Sequence, residues 1–259
     1  MTIKSALISV YSKDGIDELA LSLAKNGVIL YSTGGTKKYL EGLGLTVLAV
    51  EDFTNYPEVF GGRVKTLHPA IFGGILYRRE NESDLVELAQ HQIPAIDLVI
   101  VDLYPFEDTV KSTDDEEAII EKVDIGGIAL IRGAAKNFND VVIVPSKNEY
   151  PMIQKILAEQ NAESTLADRK EFARRAFKVS SHYDTAIFNY FDRDSDDVSF
   201  KHSLMDSQVL RYGENPHQQA TVYKINYKND FLSKIKQIQG KELSYNNYLD
   251  MYSAVSITK

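Results

Sequence analysis

The sequence predicts an α/β protein in which helices cover both faces of a mainly parallel β-sheet. Apolar strand-like segments alternate along the chain with segments whose apolar residues recur every three or four positions. Strands that alternate with helices favour parallel pairing and a covered sheet. With 44% hydrophobic and 25% charged residues, the chain also has enough apolar material for a substantial core.

Five segments are predicted as strands. Residues 96–103 (Ile-Asp-Leu-Val-Ile-Val-Asp-Leu) give the strongest signal, and residues 5–11 (Ser-Ala-Leu-Ile-Ser-Val-Tyr) have the composition of a buried strand. The other three are residues 28–32, 46–50 and 141–144.

Helices are predicted between and after these strands. Ser12 or Asp14 can cap the first of them, and Thr113 with Glu116 forms a capping box for a helix that ends near Lys122. The remaining predicted helices cover residues 33–40, 83–90, 128–136, 151–159 and 165–186.

The Asp-rich segment 192–197 predicts a linker between two domains, residues 1–195 and 196–259. The segment lacks the glycine and the final glutamate of a calcium-binding loop, so a solvated linker is favoured. The second domain is rich in Tyr and Asn and is expected to be a truncated α+β segment.

The overall composition excludes several classes of protein. A net charge of -8 argues against a general nucleic-acid binder, and the absence of cysteine excludes disulfides and thiolate metal sites. The histidines show no metal-ligand spacing, and no apolar run is long enough to span a membrane. The N-terminus has no signal-peptide pattern, so a cytoplasmic protein is expected.

Four clusters of polar residues each follow a predicted strand or begin a predicted helix. They lie at residues 9–13, 33–36, 102–104 and 124–127. Ligands of α/β proteins bind at the carboxyl ends of the strands. The Thr-Gly-Gly-Thr turn at 33–36 has the composition of a phosphate cradle, although many such turns contain Gly-Gly for steric reasons alone.

The segment 61–69, Gly-Gly-Arg-Val-Lys-Thr-Leu-His-Pro, predicts an ordered loop with two cations and a hydroxyl. Such a loop suits an anionic substrate, but a solvated basic turn has the same composition. His68 in this loop is interpreted as structural.

Asp124 and Lys136 lie at the two ends of one predicted helix. Twelve helical residues span about 18 Å, so the two side chains would not touch across an unbroken helix. A shared role requires a late helix start, a break near Gly133, or a Lys136 side chain that reaches back.

Six motifs occur in an order that resembles a known family. The first five are similar to the IMP cyclohydrolase domain of the bifunctional purine-biosynthesis enzymes, and Leu-Arg-Tyr-Gly-Glu-Asn-Pro-His-Gln at 210–218 resembles the start of their AICAR formyltransferase domain. The five are Ser-Thr-Gly-Gly-Thr at 32–36, the loop 61–69, Leu-Tyr-Pro-Phe at 103–106, Asp-Ile-Gly-Gly at 124–127 and Ala-Ala-Lys-Asn at 134–137.

The resemblance implies a methylglyoxal-synthase-like three-layer αβα domain that closes the ring of formyl-AICAR to IMP with loss of water. It implies no metal or redox cofactor for this step, and 10-formyltetrahydrofolate only for formyl transfer. A homodimer is implied for full-length members of the family.

The resemblance also implies roles for individual residues. Lys136 is the leading candidate for proton transfer, Lys65 and Tyr104 would polarise the formyl group, and Asp124 would orient the amide or accept its proton. The expected substrate-binding residues are Ser12, Lys13, Thr33, Gly34, Gly35, Thr36, Arg63, Thr66, Asp102, Ile125 and Gly126. Arg211, Tyr212 and His217 match AICAR-binding positions of the second domain.

The chain departs from the family pattern in two places. Family members commonly have Asn where this chain has Asp102, and a carboxylate cannot donate a hydrogen bond to a base carbonyl. The chain also ends at Lys259, before the Lys-His motif of formyl transfer, so no formyltransferase activity is expected of it.

Two other functions remain open on the same fold. Methylglyoxal synthase also binds a phosphate ester, but it would need paired aspartates and no basic loop at 61–69. A non-catalytic nucleotide-binding regulatory module would keep the phosphate cradle without Lys65, Tyr104 and Lys136 together.

Overall fold

A computed structural model describes residues 1–196, 199–205, 207–223 and 235–258. The chain divides into two compact units, Met1–Phe191 and Asp192–Lys259. Within the described residues, no helix has both the length and the apolar character that a membrane crossing requires.

The first unit is built on a five-stranded sheet with the order β3-β2-β1-β4-β5, and every neighbouring pair is parallel. All five strands fall within the predicted segments, so the parallel α/β prediction is confirmed. The strands are β1 (Ser5–Ser9), β2 (Ile29–Ser32), β3 (Val47–Ala49), β4 (Leu98–Val101) and β5 (Val142–Val144).

Ten helices of the first unit are described. They are α1 (Ile16–Lys25), α2 (Gly34–Gly42), α3 (Val50–Thr54), α4 (Pro69–Leu76), α5 (Glu82–Gln90), α6 (Phe106–Ser112), α7 (Glu116–Ile120), α8 (Gly126–Lys136), α9 (Tyr150–Glu159) and α10 (Leu166–Phe191). Short 3-10 turns occupy Phe60–Gly62 and Lys147–Glu149.

Both predicted helix caps are wrong. Gly15 precedes α1 in the left-handed conformation (φ 73°), which a glycine adopts without steric cost, and Ser12 instead accepts a hydrogen bond from the amide of Asp14. Asp115 caps α7, and Thr113 is the residue that ends α6. The observed caps, Gly15 and Asp115, lie closer to the first helical residue than the predicted candidates do.

Three helices were not predicted: α3, α4 and α6. The sequence of α4, Pro-Ala-Ile-Phe-Gly-Gly-Ile-Leu, contains two glycines that reduce helix propensity. His68 caps this helix by accepting a hydrogen bond from the amide of Ala70 at 3.2 Å, which agrees with its structural interpretation. Tertiary burial of Ile71 and Ile75 then stabilises a helix that local preference disfavours.

The sheet supplies the centre of the core. Residues 98–101 and 142–144 are buried along the full lengths of β4 and β5. Helices α8 and α10 pack on each other and on β5, whereas α1 packs on α9 and β2. Because crossovers between parallel strands are almost always right-handed, building the sheet in both directions from β1 puts the helices that follow β1 and β4 on opposite faces.

The second unit contains an antiparallel strand pair, β6 (Ser207–Val209) with β7 (Thr221–Tyr223), and helix α11 (Tyr245–Ile257). A 3-10 turn, Asp192–Asp194, begins this unit within the segment predicted as a linker. Residue 197 of that predicted segment lies outside the described residues.

At the amino ends of β1 and β4, the buried carboxylate of Asp97 joins three parts of the first unit. Asp97 Oδ2 accepts hydrogen bonds from the amides of Lys4 at 2.8 Å and Ser5 at 3.1 Å. Its Oδ1 lies 2.9 Å from Nη2 of Arg79, whose side chain is also largely buried. The charge is therefore paired and hydrogen-bonded on both oxygens, as a buried carboxylate requires.

We expect Asp97→Asn to lower the free energy of unfolding by about 2–4 kcal/mol, because it leaves the buried Arg79 without its counter-charge. Urea denaturation measures the change. Glu159→Gln is the matched control, since Glu159 forms only an exposed pair with Lys155 at 3.8 Å, and it should cost less than about 1 kcal/mol. Equal effects of the two substitutions would contradict the assignment of Asp97 as a structural anchor.

Candidate active site at the carboxyl edge of the sheet

The order of the strands changes direction between β1 and β4, which are neighbours in the sheet. Strands β2 and β3 extend the sheet on one side of β1, and β4 and β5 extend it on the other. The carboxyl ends of β1 and β4 therefore form the crevice where open α/β sheets bind their ligands. Residues 10–13 follow β1, and Asp102 follows β4.

Asp102 ties these two strand ends together. Its Oδ2 accepts a hydrogen bond from the amide of Ser12 at 2.9 Å, and its Oδ1 accepts one from the amide of Tyr11. Burial raises the pKa of Asp102, while those amide bonds and the Lys13 charge act in the opposite direction. Both carboxylate oxygens are used, and an asparagine could accept with only one.

Lys13 joins the end of β1 to the start of α2. Its ammonium donates to the carbonyl of Val10 and, at 3.1 Å, to Oγ1 of Thr36. The Thr36 hydroxyl in turn donates to the same carbonyl at 2.9 Å. Burial lowers the pKa of Lys13, and the Asp102 charge opposes this shift. A half-buried cation is thereby fixed beside the first turn of α2.

The Thr-Gly-Gly-Thr segment forms the start of α2, as expected of a phosphate cradle. Thr33 precedes the helix in an extended conformation and makes no side-chain cap. Its hydroxyl donates instead to Oε1 of Glu51 at 2.7 Å. Because no side chain caps the helix, its first amides are available to an anion.

The basic loop 61–69 brings Lys65 to this helix start. The Lys65 side chain crosses the backbone of Gly62 so closely that a Cβ atom there would overlap its Cε. A Cβ atom at Gly34 would lie 3.2 Å from the Lys65 ammonium, which places that charge over the beginning of α2. Glu58 pairs with Lys65 at 3.2 Å.

The same loop also reaches the start of α8. Thr66 is buried, and its Oγ1 lies 3.1 Å from the position of a Cβ atom at Gly126. Ile125, immediately before Gly126, is 59% exposed. Arg63 points elsewhere and pairs with the exposed Glu121 at 2.6 Å.

Asp124 precedes α8 and caps it. Its Oδ1 accepts a hydrogen bond from the amide of Gly127 at 2.6 Å. Burial raises the pKa of Asp124, and hydrogen bonds from the amides of Gly127 and Tyr104 oppose the shift. The contact with the Tyr104 amide brings the ends of two predicted motifs, 103–106 and 124–127, together.

The ring of Tyr104 lies at the mouth of the crevice. It is 39% exposed and packs edge-to-face on Tyr11, with 5.3 Å between ring centroids. The ammonium of Lys122 lies 5.4 Å from the centre of the Tyr11 ring and 5.6 Å from that of Tyr104. Two phenol rings and a cation thus border the same edge as Asp124.

The structure does not bring Lys136 to this cluster. Helix α8 starts late, at Gly126, but it then continues without a break to Lys136. Its ten steps of 1.5 Å separate the two ends by about 15 Å. Lys136 is exposed, and the next residue, Asn137, donates to the carbonyl of Ile75 at 2.8 Å, at the end of α4.

Three residues of the site were missed by sequence reasoning. Glu58 and Lys122 are charged residues in unremarkable surroundings, and no local pattern links them to Lys65 or to the tyrosine rings. Tyr183 belongs to the helix predicted over residues 165–186, where the spacing of apolar residues indicates a core-facing position, yet its hydroxyl donates to the carbonyl of Lys122 at 2.6 Å. Helical periodicity indicates burial and carries no information about a buried hydroxyl.

In the second unit, the three predicted AICAR-binding residues lie in one short stretch. The guanidinium of Arg211 lies over the Tyr212 ring, 4.8 Å from its centroid, and donates to its hydroxyl at 3.1 Å. His217 lies in a turn that the amide of Gly213 closes on the carbonyl of Gln218 at 2.9 Å.

No group of three or more His, Asp or Glu side chains in the described part of the chain is arranged to hold a metal ion. The charged groups of the crevice are instead cations beside a helix start, with two carboxylates whose pKa values burial raises. Such a set can hold an anion and exchange protons with a ligand.

Two family models together match nearly the whole chain. The MGS-like domain matches residues 15–129, and the AICARFT/IMPCHase bienzyme matches residues 134–259. The first match confirms the methylglyoxal-synthase-like fold expected for the five-stranded domain. The second begins within α8 and continues through the second unit.

Curated proteins from several bacteria are similar along the entire chain. The bifunctional purine biosynthesis protein PurH of Bacteroides thetaiotaomicron is 53% identical over 98% of this chain and 49% of that protein. PurH of Aquifex aeolicus is 44% identical over 97% of this chain and 50% of its own length. The chain therefore spans about half the length of the curated relatives it matches.

A solved structure described as that of ForH is similar to the chain as well. It is 36% identical, with a TM-score of 0.64, over 73% of this chain and the whole of that one. The ordered motifs, the fold and these comparisons lead to one conclusion. The chain belongs to the AICARFT/IMPCHase bienzyme family.

Proposed function

We propose that the chain is an IMP cyclohydrolase of purine biosynthesis, which closes the ring of formyl-AICAR to give IMP and water. The observation that carries this proposal is the course of the basic loop. Lys65 of this loop lies over the start of α2, and Thr66 lies beside the start of α8, next to Asp124. One loop thus joins an anion cradle to a proton-accepting group.

The anion cradle suits the 5′-phosphate of a ribonucleotide. The free amides at the start of α2 can donate to phosphate oxygens, and the helix dipole favours the negative charge. Lys13 supplies positive charge beside the same helix start. In this proposal Ser12, Arg63 and Thr66 complete the nucleotide site, with Arg63 leaving Glu121 to do so.

The reaction needs a fixed geometry and two proton movements. The carboxamide nitrogen attacks the formyl carbon, forming a C–N bond while the formyl oxygen gains a proton and becomes a hydroxyl. The carboxamide nitrogen loses one proton, and the hydroxyl then leaves as water when the formamide nitrogen gives up its proton and the C=N bond of the new ring forms. Because an amide is a poor nucleophile, positioning and proton removal both lower the barrier.

The residues at the carboxyl edge fit these steps. Asp124, as its carboxylate, is proposed to accept the proton of the amide nitrogen. Lys65 is proposed to stabilise the charge that develops on the formyl oxygen, and Tyr104 to donate to the hydroxyl that leaves. None of these steps calls for a metal or a redox cofactor, and we propose that ring closure uses neither.

For the second unit, we propose that Arg211, Tyr212 and His217 contribute to binding AICAR in the formyl-transfer half of the family's chemistry, which uses 10-formyltetrahydrofolate. That the chain itself does not transfer the formyl group stays a prediction. Incubation with AICAR and 10-formyltetrahydrofolate tests it, and formyl-AICAR as a product would contradict it. A cytoplasmic location and a homodimer are part of the same proposal.

The first test is turnover of formyl-AICAR, followed by the ultraviolet change that accompanies IMP formation. We expect Lys65→Met to lower kcat by about 10²–10³-fold, because it removes a charge that stabilises the developing oxyanion. Lys37→Met is the matched control, since Lys37 pairs with Glu41 one turn further along α2 and should change kcat by less than about twofold.

Absence of turnover by the unaltered chain would refute the cyclohydrolase proposal. If IMP still bound tightly in that case, the regulatory-module alternative would be favoured. Production of methylglyoxal from dihydroxyacetone phosphate would favour the other alternative.

The pH dependence of turnover tests the role of Asp124. The group works as a carboxylate, and burial raises its pKa, so activity should fall with decreasing pH at values above the ordinary carboxyl range near ~4. Asp124→Asn keeps an acceptor for the Gly127 amide but cannot take a proton. The remaining kcat of this variant should not fall with decreasing pH in that range. A fall like that of the wild type would exclude Asp124 as the base.

Lys136 needs a separate experiment, because the unbroken α8 keeps it away from Asp124 of the same chain. If Lys136 transfers a proton, as the family resemblance implies, we expect Lys136→Ala to lower kcat by at least about 10²-fold. The homodimer then offers a route, with Lys136 supplied by a second copy.

Mixing the inactive Lys136→Ala and Asp124→Asn chains distinguishes the two arrangements. Supply from a second copy would restore about a quarter of the wild-type rate, since half of the chains form mixed dimers with one intact site each. No recovery would show that Lys136 acts within its own chain after a rearrangement. Full activity of Lys136→Ala alone would exclude Lys136 from the reaction.

A further inference from the structure

The hydroxyl of Tyr183 bridges the backbone on both sides of Val123. Tyr183 lies in α10 and is only 8% exposed. Its hydroxyl donates to the carbonyl of Lys122 at 2.6 Å and accepts from the amide of Asp124 at 2.9 Å. One side chain from a distant helix therefore makes two hydrogen bonds to a segment of three residues.

This segment connects α7, which ends at Ile120, to α8, which begins at Gly126. The carbonyl of Lys122 and the amide of Asp124 are outside both helices, so they need partners from elsewhere when they are buried. Tyr183 supplies both partners with one hydroxyl. A residue of α10 therefore fixes the path of the backbone between α7 and α8.

Both ends of the segment carry side chains of the candidate site. The Lys122 ammonium lies over the rings of Tyr11 and Tyr104, and the Asp124 carboxylate accepts from the amide of Gly127. A shift of the backbone at Val123 would move the cation and the carboxylate together. The two hydrogen bonds of Tyr183 oppose such a shift.

The Tyr183 ring is itself held in place. It belongs to a small apolar cluster with Phe106, Ile119 and Tyr190, separate from the main core. It packs edge-to-face on Phe106, with 6.2 Å between centroids. Burial raises the pKa of Tyr183 to about 12, so the hydroxyl keeps the proton that it donates across the physiological range.

We propose that Tyr183 is a positioning residue, whose hydroxyl fixes Asp124 and Lys122 at the carboxyl edge for the reaction. The role rests on the proposed ring closure, in which Asp124 accepts a proton. Catalysis is sensitive to small displacements, since a misplacement of about 1 Å can cost about 10²-fold in rate. Tyr183 touches neither the substrate nor the reacting atoms in this proposal.

The test compares Tyr183→Phe with Tyr190→Phe in the whole chain. Each variant removes one hydroxyl from the same helix and the same apolar cluster, and each keeps the aromatic ring. We expect Tyr183→Phe to lower kcat by about 10–100-fold. KM should change by less than about threefold, because the anion cradle lies on other elements. Tyr190→Phe should keep kcat within about twofold of wild type.

A second readout does not depend on turnover. Hydrogen exchange of the Asp124 amide, followed by NMR, should become at least about tenfold faster in Tyr183→Phe than in wild type, because that amide loses its acceptor. The exchange of amides in β4 should be unchanged, which shows that the variant is folded. This measurement tests whether the hydroxyl fixes the backbone at Asp124, whatever activity the chain has.

Each outcome separates the inference from the proposed function. Turnover by the wild type together with unchanged kcat in Tyr183→Phe would overturn the positioning role. Equal losses of kcat in both variants would also overturn it, since a general loosening of the cluster would then suffice. Absence of turnover in the wild type would refute the proposed function, and an unchanged Asp124 exchange rate would refute the inference by itself.

Discussion

The carboxylate of Asp102 accepts hydrogen bonds from two successive backbone amides, those of Tyr11 and Ser12. This contact fastens the end of β4 to the end of β1, the two strands between which the sheet changes direction. Two further parts of the carboxyl edge connect to that junction. Lys13 extends from it to α2, and Tyr104, two residues after Asp102, leads to Asp124. An aspartate suits this structural role better than an asparagine would, because both of its oxygens accept.

Opposed electrostatic effects give the edge its chemical character. Burial disfavours the charged forms of three groups in the crevice, so it lowers the pKa of Lys13 and raises the pKa values of Asp102 and Asp124. Backbone amides and neighbouring charges partly compensate without cancelling the effect. The shifts reduce the difference in pKa between this lysine and the two carboxyl groups, as is common at functional sites. An anionic nucleotide would add further negative charge, which the uncapped start of α2 and the two lysines are placed to balance.

The strands, and therefore the crevice that forms the candidate site, were predictable, because their apolar runs have few alternative structures. The turn at Thr33 to Thr36 was predictable too, since it is a local pattern, and its binding of a phosphate stays a prediction. Helix α4 was not, because its two glycines disfavour a helix until the core stabilises it. The same limit applies to Tyr183 and Lys122, whose contacts join residues about 60 positions apart through packing that no spacing encodes. For Lys136, helix geometry already predicted a separation from Asp124, and the structure excludes the break near Gly133 that would have brought the two together.

The close passage of Lys65 over Gly62 has a consequence for how the sequence can vary. Gly62 adopts a φ of 89° and has no room for a Cβ atom beside the lysine side chain, although it lies in a surface loop. A Cβ atom at residue 62 would displace the end of the flexible Lys65 side chain from the start of α2, and it would strain a backbone with a positive φ. Solvent exposure alone therefore does not identify Gly62 as a position that controls where the Lys65 charge lies.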